Sequence, residues 1–174
     1  MKISAYVGKS LDGFIARKNG DFTWLSQFAN DEAIAAYNEF MGRIDAIVIG
    51  RGTFDEVLKF PEWPYEKPVF VLSTSIGELP DAAIGKATLL SMSPRAIAEH
   101  LASEGFSNIY IDGGTVIQSF LKEGLVDELI IATVPILIGN GLSLFGEGEK
   151  DIPFRHVRTI VASNGLVRSY YDKE

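Results

Sequence analysis

The sequence predicts an α/β fold of three layers, α/β/α, built on a mixed sheet of about eight strands with about four helices covering it. Most strands are expected to run parallel, with an antiparallel hairpin at the C-terminal edge. Three observations carry this expectation. Short apolar, β-branched runs alternate with helical periodicity early in the chain. Two of those runs, Ile44 to Ile49 and Ile109 to Ile111, end in glycines and lead into helices. Near the end, Arg155 to Val161 and Leu166 to Tyr171 flank Ser163-Asn164-Gly165, a hairpin signal.

Taken in order, Lys2 to Val7 alternates as a strand, and Gly8 to Ala16 follows as a loop. Leu11, Phe14 and Ile15 in that loop either plug the sheet end or wall a flat ring off from water. Asn19-Gly20-Asp21 marks a turn, after which Phe22, Trp24 and Leu25 bring aromatic area to the same region. Core packing explains Trp24 as well as ligand stacking does. A helix spans Asp31 to Met41, with Ile34 and Tyr37 on its apolar face and Asn30 or Asp31 as N-cap.

Ile44 to Ile49 is apolar on both faces, as a central strand must be. Thr53 and Glu56 are spaced as a capping box for a short helix ending before Pro61. A proline- and aromatic-rich loop from Glu62 to Pro68 leads to strand Val69 to Leu72 and the hydroxyl cluster Ser73-Thr74-Ser75. Thr88 to Leu90 is a further strand. Ser93-Pro94 opens a helix as N-cap and first residue, with Ile97 and Leu101 inward and Gly105 closing it.

The stretch from Asn108 to Gly124 organises the rest. A strand through Ile109, Tyr110 and Ile111 meets Gly113 and Gly114, then a helix carries Val116, Ile117, Phe120 and Leu121 inward. Such a junction is either a tight turn or an anion site, because the first helical amides lack partners and glycine admits close approach. The repeated layout at Gly50 to Thr53 favours a dinucleotide with two phosphate sites. Glu128 to Val134 is the next strand, and Pro135 predicts a bulge or a change of strand.

Composition narrows the function. The chain has 174 residues, 47% hydrophobic and 22% charged, enough for one compact domain. A net charge of -7 argues against a nucleic-acid-binding face. No apolar run reaches the ~18 residues a membrane span needs, and the amino terminus enters a strand directly, so a cytoplasmic enzyme is expected. The absence of cysteine removes disulfides, thiolate metal sites and a cysteine nucleophile, and the two histidines lie far apart, so no metal site is expected.

The order of motifs resembles the dihydrofolate-reductase-like superfamily, and most closely the single-domain branch related to the C-terminal reductase domain of the bifunctional riboflavin-synthesis protein. The likeness rests on Ser10-Leu11-Asp12-Gly13-Phe14-Ile15-Ala16, Trp24-Leu25, Val48 to Phe54, Val71 to Thr74, Asp112-Gly113-Gly114-Thr115, Gly124 to Leu129 and Pro135 to Gly141. It implies NADPH as hydride donor and a small heterocyclic substrate. By position, Gly50, Arg51, Gly52 and Thr53 resemble the segment at the adenosine-side phosphates, and Ser73 with Thr74 the pair near the 2′-phosphate. Gly113, Gly114, Thr115 and Val116 resemble the pyrophosphate cradle, and Ala5, Leu11 and Ile15 the nicotinamide lining.

An arginine and hydroxyls suit a phosphate better than a ribose diol, which favours NADPH over NADH. Asp112 stands where the riboflavin-pathway reductases carry an acid, and Trp24 matches their tryptophan, so the resemblance implies a catalytic place for both. Where those reductases have a lysine in the first strand, this chain has Tyr6, and Phe22 replaces a serine before Trp24. Asp112 and Asp12 are the expected catalytic carboxylates, holding a substrate amine or hydroxyl or passing a proton through water; a turn-forming role before Gly13 also accounts for Asp12. The deaminase half's zinc pattern is missing. Reduction of dihydrofolate or a pterin, and NADP(H) sensing without turnover, are the alternative functions. A homodimer is expected, with Val134 to Ile138 and the final hairpin as the pairing surface.

Overall fold

The computed structural model describes residues 1–148 and 150–174. In chain order it contains β1 (Lys2–Lys9), β2 (Phe14–Ala16), α1 (Thr23–Ser26), α2 (Asp31–Gly42), β3 (Ala46–Gly50), α3 (Arg51–Val57) and β4 (Val69–Leu72). A short 3-10 turn (Asp81–Ala83) precedes β5 (Ala87–Leu90), α4 (Pro94–Ser103), β6 (Asn108–Asp112), α5 (Gly114–Lys122) and β7 (Glu128–Thr133). The chain closes with β8 (Leu142–Ser143), β9 (Phe154–Val161) and β10 (Val167–Lys173).

Eight strands form one sheet in the order β5-β4-β3-β6-β1-β7-β10-β9. Pairings from β5 through to β7 are parallel, and β10 is antiparallel to both β7 and β9. This is the mixed, mostly parallel sheet with an antiparallel C-terminal hairpin that the sequence predicts. β3 is an interior strand with Ala46, Ile47, Val48 and Ile49 all buried, because helices cover both faces.

Each face has its own core. On one, α4 and α5 lay Ile97, Leu101, Val116, Ile117 and Phe120 against Ile3, Ala5, Val48, Ile109 and Ile111. On the other, Phe40 of α2 and Phe54 of α3 pack on Ile47, Ile49, Val71, Tyr110 and Ile130. Fully burying one such side chain contributes about 1.5–3 kcal/mol, so the helix periodicity of the sequence translates directly into layer adhesion. Local signals set the helix starts: the Asn30 side chain accepts from Ala33 N at 3.0 Å, and Ser93 Oγ from Ala96 N at 3.3 Å ahead of Pro94.

Three local expectations need correction. The short helix begins at Arg51 with Gly50 as N-cap and no side-chain cap, so Thr53 and Glu56 form no capping box. Glu56 pairs with Lys59 instead, and Thr53 turns toward Gly113. The 8–16 loop contains β2, whose partner β8 is more than a hundred residues away and invisible to local pattern. A fifth helix, the single turn α1, follows Phe22. Pro135 does mark a departure: β7 ends at Thr133 and the chain leaves the sheet to reach β8. Among the described residues, no helix is long and apolar enough to cross a membrane.

Candidate functional site

β3 and β6 are neighbours, yet the chain leaves them on opposite faces: α3 packs on the Phe54 side and α5 on the Phe120 side. An open α/β sheet develops a crevice at such a switch point, beyond the carboxyl ends of the strands. Here it is a cleft of about 1300 Å³.

Both glycine turns open into it, and they touch. Gly113, at φ +93°, is the N-cap of α5, and a Cβ built on it would lie 2.6 Å from Thr53 Oγ1 and 3.8 Å from Gly50 N. A Cβ on Gly114 would lie 2.8 Å from Ile15 Cδ1, and one on Gly50 3.0 Å from Val116 Cγ2. A side chain at Gly113 would meet Thr53 and a positive φ as well, and one at Gly114 or Gly50 would press on the end of Ile15 or Val116, so the glycines keep both cleft-lining turns closely packed. The amides of Gly114, Thr115 and Val116, in the first turn of α5, have no intrahelical acceptor and point with the positive end of the helix dipole. α3 spans seven residues, and its contribution is the Arg51 side chain. Arg51 Nη1 donates to Ser75 Oγ at 3.0 Å, and its Nε lies 3.4 Å from Asp55 Oδ2.

Ser73 lines the cleft but its hydroxyl is engaged, accepting from the amides of Ser75 and Ile76 at 3.2 Å each. It shapes the turn after β4, which leaves Thr74 and Ser75 with exposed hydroxyls beside Arg51. Ser75 was part of the hydroxyl cluster seen in the sequence without being singled out.

The cleft wall also carries Asp112, expected from the sequence, among tyrosines whose meeting the sequence does not show. Tyr110 and Asp112 alternate along β6 and therefore share a face. Tyr6 of β1, Tyr37 of α2 and Tyr65 of the loop after α3 join them on the cleft wall. Tyr6 meets Tyr37 edge-on with ring centroids 5.6 Å apart, and Tyr37 meets Tyr110 at 6.5 Å. The Tyr110 hydroxyl donates to Tyr6 O at 3.0 Å. Burial raises the Asp112 carboxyl above its ordinary range, opposed by the Gly113 amide at 2.8 Å and the Tyr110 hydroxyl. Burial, and then the Asp112 charge, push Tyr37 up to about 12 and Tyr65 and Tyr110 further up. All three phenols are donors at neutral pH. Beside Tyr6 lies Arg168, 5% exposed, with Nε on the Tyr170 hydroxyl at 2.8 Å and a buried Nη1 that has no hydrogen-bond partner among the described residues.

Of the residues singled out in the sequence, the cleft brings together Ile15, Gly50, Arg51, Gly52, Thr53, Ser73, Thr74, Asp112, Gly113, Gly114, Thr115 and Val116. Four lie elsewhere. Ala5 is wholly enclosed by the sheet core, and Leu11 is 60% exposed off the cleft wall. Trp24, 6% exposed, packs with Ala132, Val134, Ala162 and Leu166, so core packing accounts for it. The Asp12 carboxylate accepts from Ser10 Oγ at 2.5 Å, Gly139 N at 2.8 Å and Ile138 N at 3.3 Å. It ties two loops together and turns away from the cleft, the turn-forming role the Asp-Gly pair also allowed. Phe22 and Leu25 do line the cleft, so the aromatic area beside it comes from Phe22 and the tyrosines.

The family model of the RibD C-terminal domain matches residues 2–167. The uncharacterized protein YwjB of Bacillus subtilis (strain 168) is 34% identical over 157 residues, 88% of this chain and 88% of its own length. The crystal structure of a candidate riboflavin biosynthesis protein from Shewanella sp. PV-4 superposes with a TM-score of 0.94 at 40% identity, covering 100% of this chain and 99% of that one. Dihydrofolate reductase from Enterococcus faecalis, solved with NADP(H), shares the fold with a TM-score of 0.71 at 14% identity over 99% of this chain and 96% of its own.

Proposed function

The chain belongs to the RibD C-terminal domain family, and from that premise we propose that it is an NADPH-dependent reductase that transfers a hydride to a C=N or C=O carbon of a small heterocycle, of the kind reduced in riboflavin synthesis. The observation that carries the reading is the contact between the Gly50 and Gly113 turns at the mouth of one large cleft, with Arg51 beside them. The residues present fit a dinucleotide. The amides of Gly114, Thr115 and Val116, unpaired in the first turn of α5, can meet a diphosphate, while the glycines at 113 and 114 let Thr53 and Ile15 pack closely beside them. Arg51 with Thr74 and Ser75 offers a charge and hydroxyl donors to a 2′-phosphate.

Bound NADPH supplies the hydride and its electron pair. The chain's part is to orient and to exclude water. Ile15, Phe22 and Leu25 present apolar surface to the ring region, and Ile15 is held by its close approach to Gly114. Asp112, whose burial favours the protonated form, bonds a substrate amine or hydroxyl and can pass a proton toward the atom next to the reduced carbon. Tyr37 and Tyr65 donate from the same wall.

The test is a titration with NADPH and NADH, followed by the rate of NADPH oxidation with 5-amino-6-(5-phosphoribosylamino)uracil and, separately, with dihydrofolate. Tighter NADPH binding and oxidation with either substrate support the reading and choose between riboflavin-type and pterin-type reduction. Binding without oxidation points to a sensor, and no NADPH binding overturns the assignment. The chain is further proposed to pair as a homodimer through β9. That strand is the sheet edge, it is eight residues long, and Val157, Ile160 and Val161 are exposed on it. Sedimentation of the wild type against a Val157→Lys, Val161→Lys variant decides it.

A further inference from the structure

Two hydrogen-bond donors are left over inside the protein, and they lie in one layer. Among the described residues, the buried side-chain polar atoms without a hydrogen-bond partner are Trp24 Nε1 and Arg168 Nη1. Both residues are more than nine-tenths buried. Arg168 of β10 stands opposite Ala132 of β7, and Ala132 stands opposite Gly8 of β1. From α1, Trp24 packs with Ala132, and a Cβ at Gly8 would lie 2.6 Å from a Leu25 methyl. Alternation along β10 puts Arg168 on the same face as Tyr170, which with Tyr6 packs on the α2 side of the sheet. α1 therefore roofs the strand row in which Arg168 stands.

The two atoms call for the same kind of guest. An indole N–H only donates, and a guanidinium only donates and keeps its charge throughout. The groups around Arg168 bring no negative charge to it. Its Nε bonds the Tyr170 hydroxyl at 2.8 Å, Tyr6 presents a second phenol, and another guanidinium, that of Arg158, lies 4.3 Å over the Tyr170 ring. Among the described residues, no ion pair includes Arg168. A buried charge without an opposite charge is costly, and buried donors without acceptors add to that cost. Water satisfies the hydrogen bonds alone. An anion satisfies the bonds and the charge together.

We propose that Trp24 and Arg168 hold one small monovalent anion, of chloride or formate size, between α1 and the strands β7 and β10. Close packing of Leu25 on Gly8 and of Trp24 on Ala132 keeps the guest small, and one guanidinium balances one negative charge. The site is separate from the cleft, whose lining includes neither residue. Its neighbours Tyr6, Gly8 and Leu25 do line the cleft, so the ion pins α1, and part of the cleft wall with it, to the last strand.

The test needs neither coenzyme nor substrate, so its outcome stands apart from the reductase reading. Chloride, and separately formate, is titrated against gluconate at fixed ionic strength into the isotope-labelled full chain. The indole N–H resonances of its two tryptophans are followed, with Trp63→Phe to assign them. The Trp24 resonance is expected to move downfield and saturate while that of Trp63 stays in place. The unfolding temperature is expected to rise with the same anions, since a ligand of the folded state alone stabilises it. Arg168→Met, which removes the charge and keeps an apolar side chain, is expected to abolish both responses and to be at least as stable as the wild type in gluconate.

A wild-type protein whose Trp24 resonance and unfolding temperature ignore both anions overturns the proposal. So does an Arg168→Met variant that keeps the saturating shift. Should that variant not fold, wild-type crystals grown in bromide decide the matter. An anomalous peak touching both Trp24 Nε1 and Arg168 Nη1 upholds the site, and a map without that peak overturns it.

Discussion

Thr53 Oγ1 occupies the space in which a side chain at Gly113 would begin, 2.6 Å from the position of a Cβ there. Two crossover units thereby share one atom-tight seam at the cleft. Gly113→Ala pays twice, in the strain of φ +93° and in overlap with Thr53. We expect a loss of ~3 kcal/mol, seen as a fall of roughly 6–12 °C in thermal unfolding. Thr53→Ala in the same chain removes the overlap and leaves the strain, so the double variant should regain only part of the loss. Additive effects of the two substitutions would show that the seam is not a contact.

Arg51→Gln removes the cleft's cation without touching the core, since the side chain is exposed and its pair with Asp55 sits on the surface. Charge-assisted bonds to phosphate contribute about 1.5–3 kcal/mol, so NADPH should bind ~10–100-fold more weakly. NADH, which lacks the 2′-phosphate, should change far less, and the loss should shrink at high salt. Equal weakening of both coenzymes would move the 2′-phosphate site elsewhere.

Asp112 is held protonated by burial above the range in which an unfolded chain releases that proton. Its folded pKa is raised, so the stability it leaves intact below the ordinary carboxylate range falls as pH rises through the folded pKa. Asp112→Asn keeps an acceptor for the Gly113 amide and cannot ionise. The variant should therefore be the more stable protein at neutral pH, with the two unfolding curves converging in acid. Turnover should drop about 10²-fold or more if the carboxyl holds or protonates substrate. Parallel stability curves across pH would remove the burial argument.

What could be read from the chain tracks what is local. Asn30, Ser93-Pro94 and the Ser163-Asn164-Gly165 hairpin act over three or four residues, and each sits where its pattern put it. The glycine junctions were equally local, and their meeting at one sheet end followed once β3 and β6 were neighbours. Thr53 misled because a capping box and a packing contact use the same residue types. Leu11 and Trp24 misled because an apolar residue near a cleft looks the same whether it lines the space or not. The tyrosine wall was hidden for a different reason. Tyr6, Tyr37, Tyr65 and Tyr110 come from four separate elements, and only the strand order and the path of the loop after α3 bring them together.

Asp12 offers a test of whether its carboxylate serves structure or chemistry. Ser10 Oγ, then the amides of Gly139 and Ile138, hold its carboxyl below the usual range. The stabilisation is therefore present above that range and lost as pH falls through the depressed folded pKa. Asp12→Ala should loosen the segment between Thr133 and Leu142, with faster amide exchange at Ile138 and Gly139 and a lower unfolding temperature that acid abolishes as a difference. Because this segment leads into β8, and Leu142 and Ser143 line the cleft, substrate affinity should weaken modestly. The rate at saturation should hold to within about threefold, far from the 10²–10⁴-fold that loss of an acid or base produces. A loss on that larger scale, with exchange at residues 138 and 139 unchanged, would return Asp12 to the chemistry.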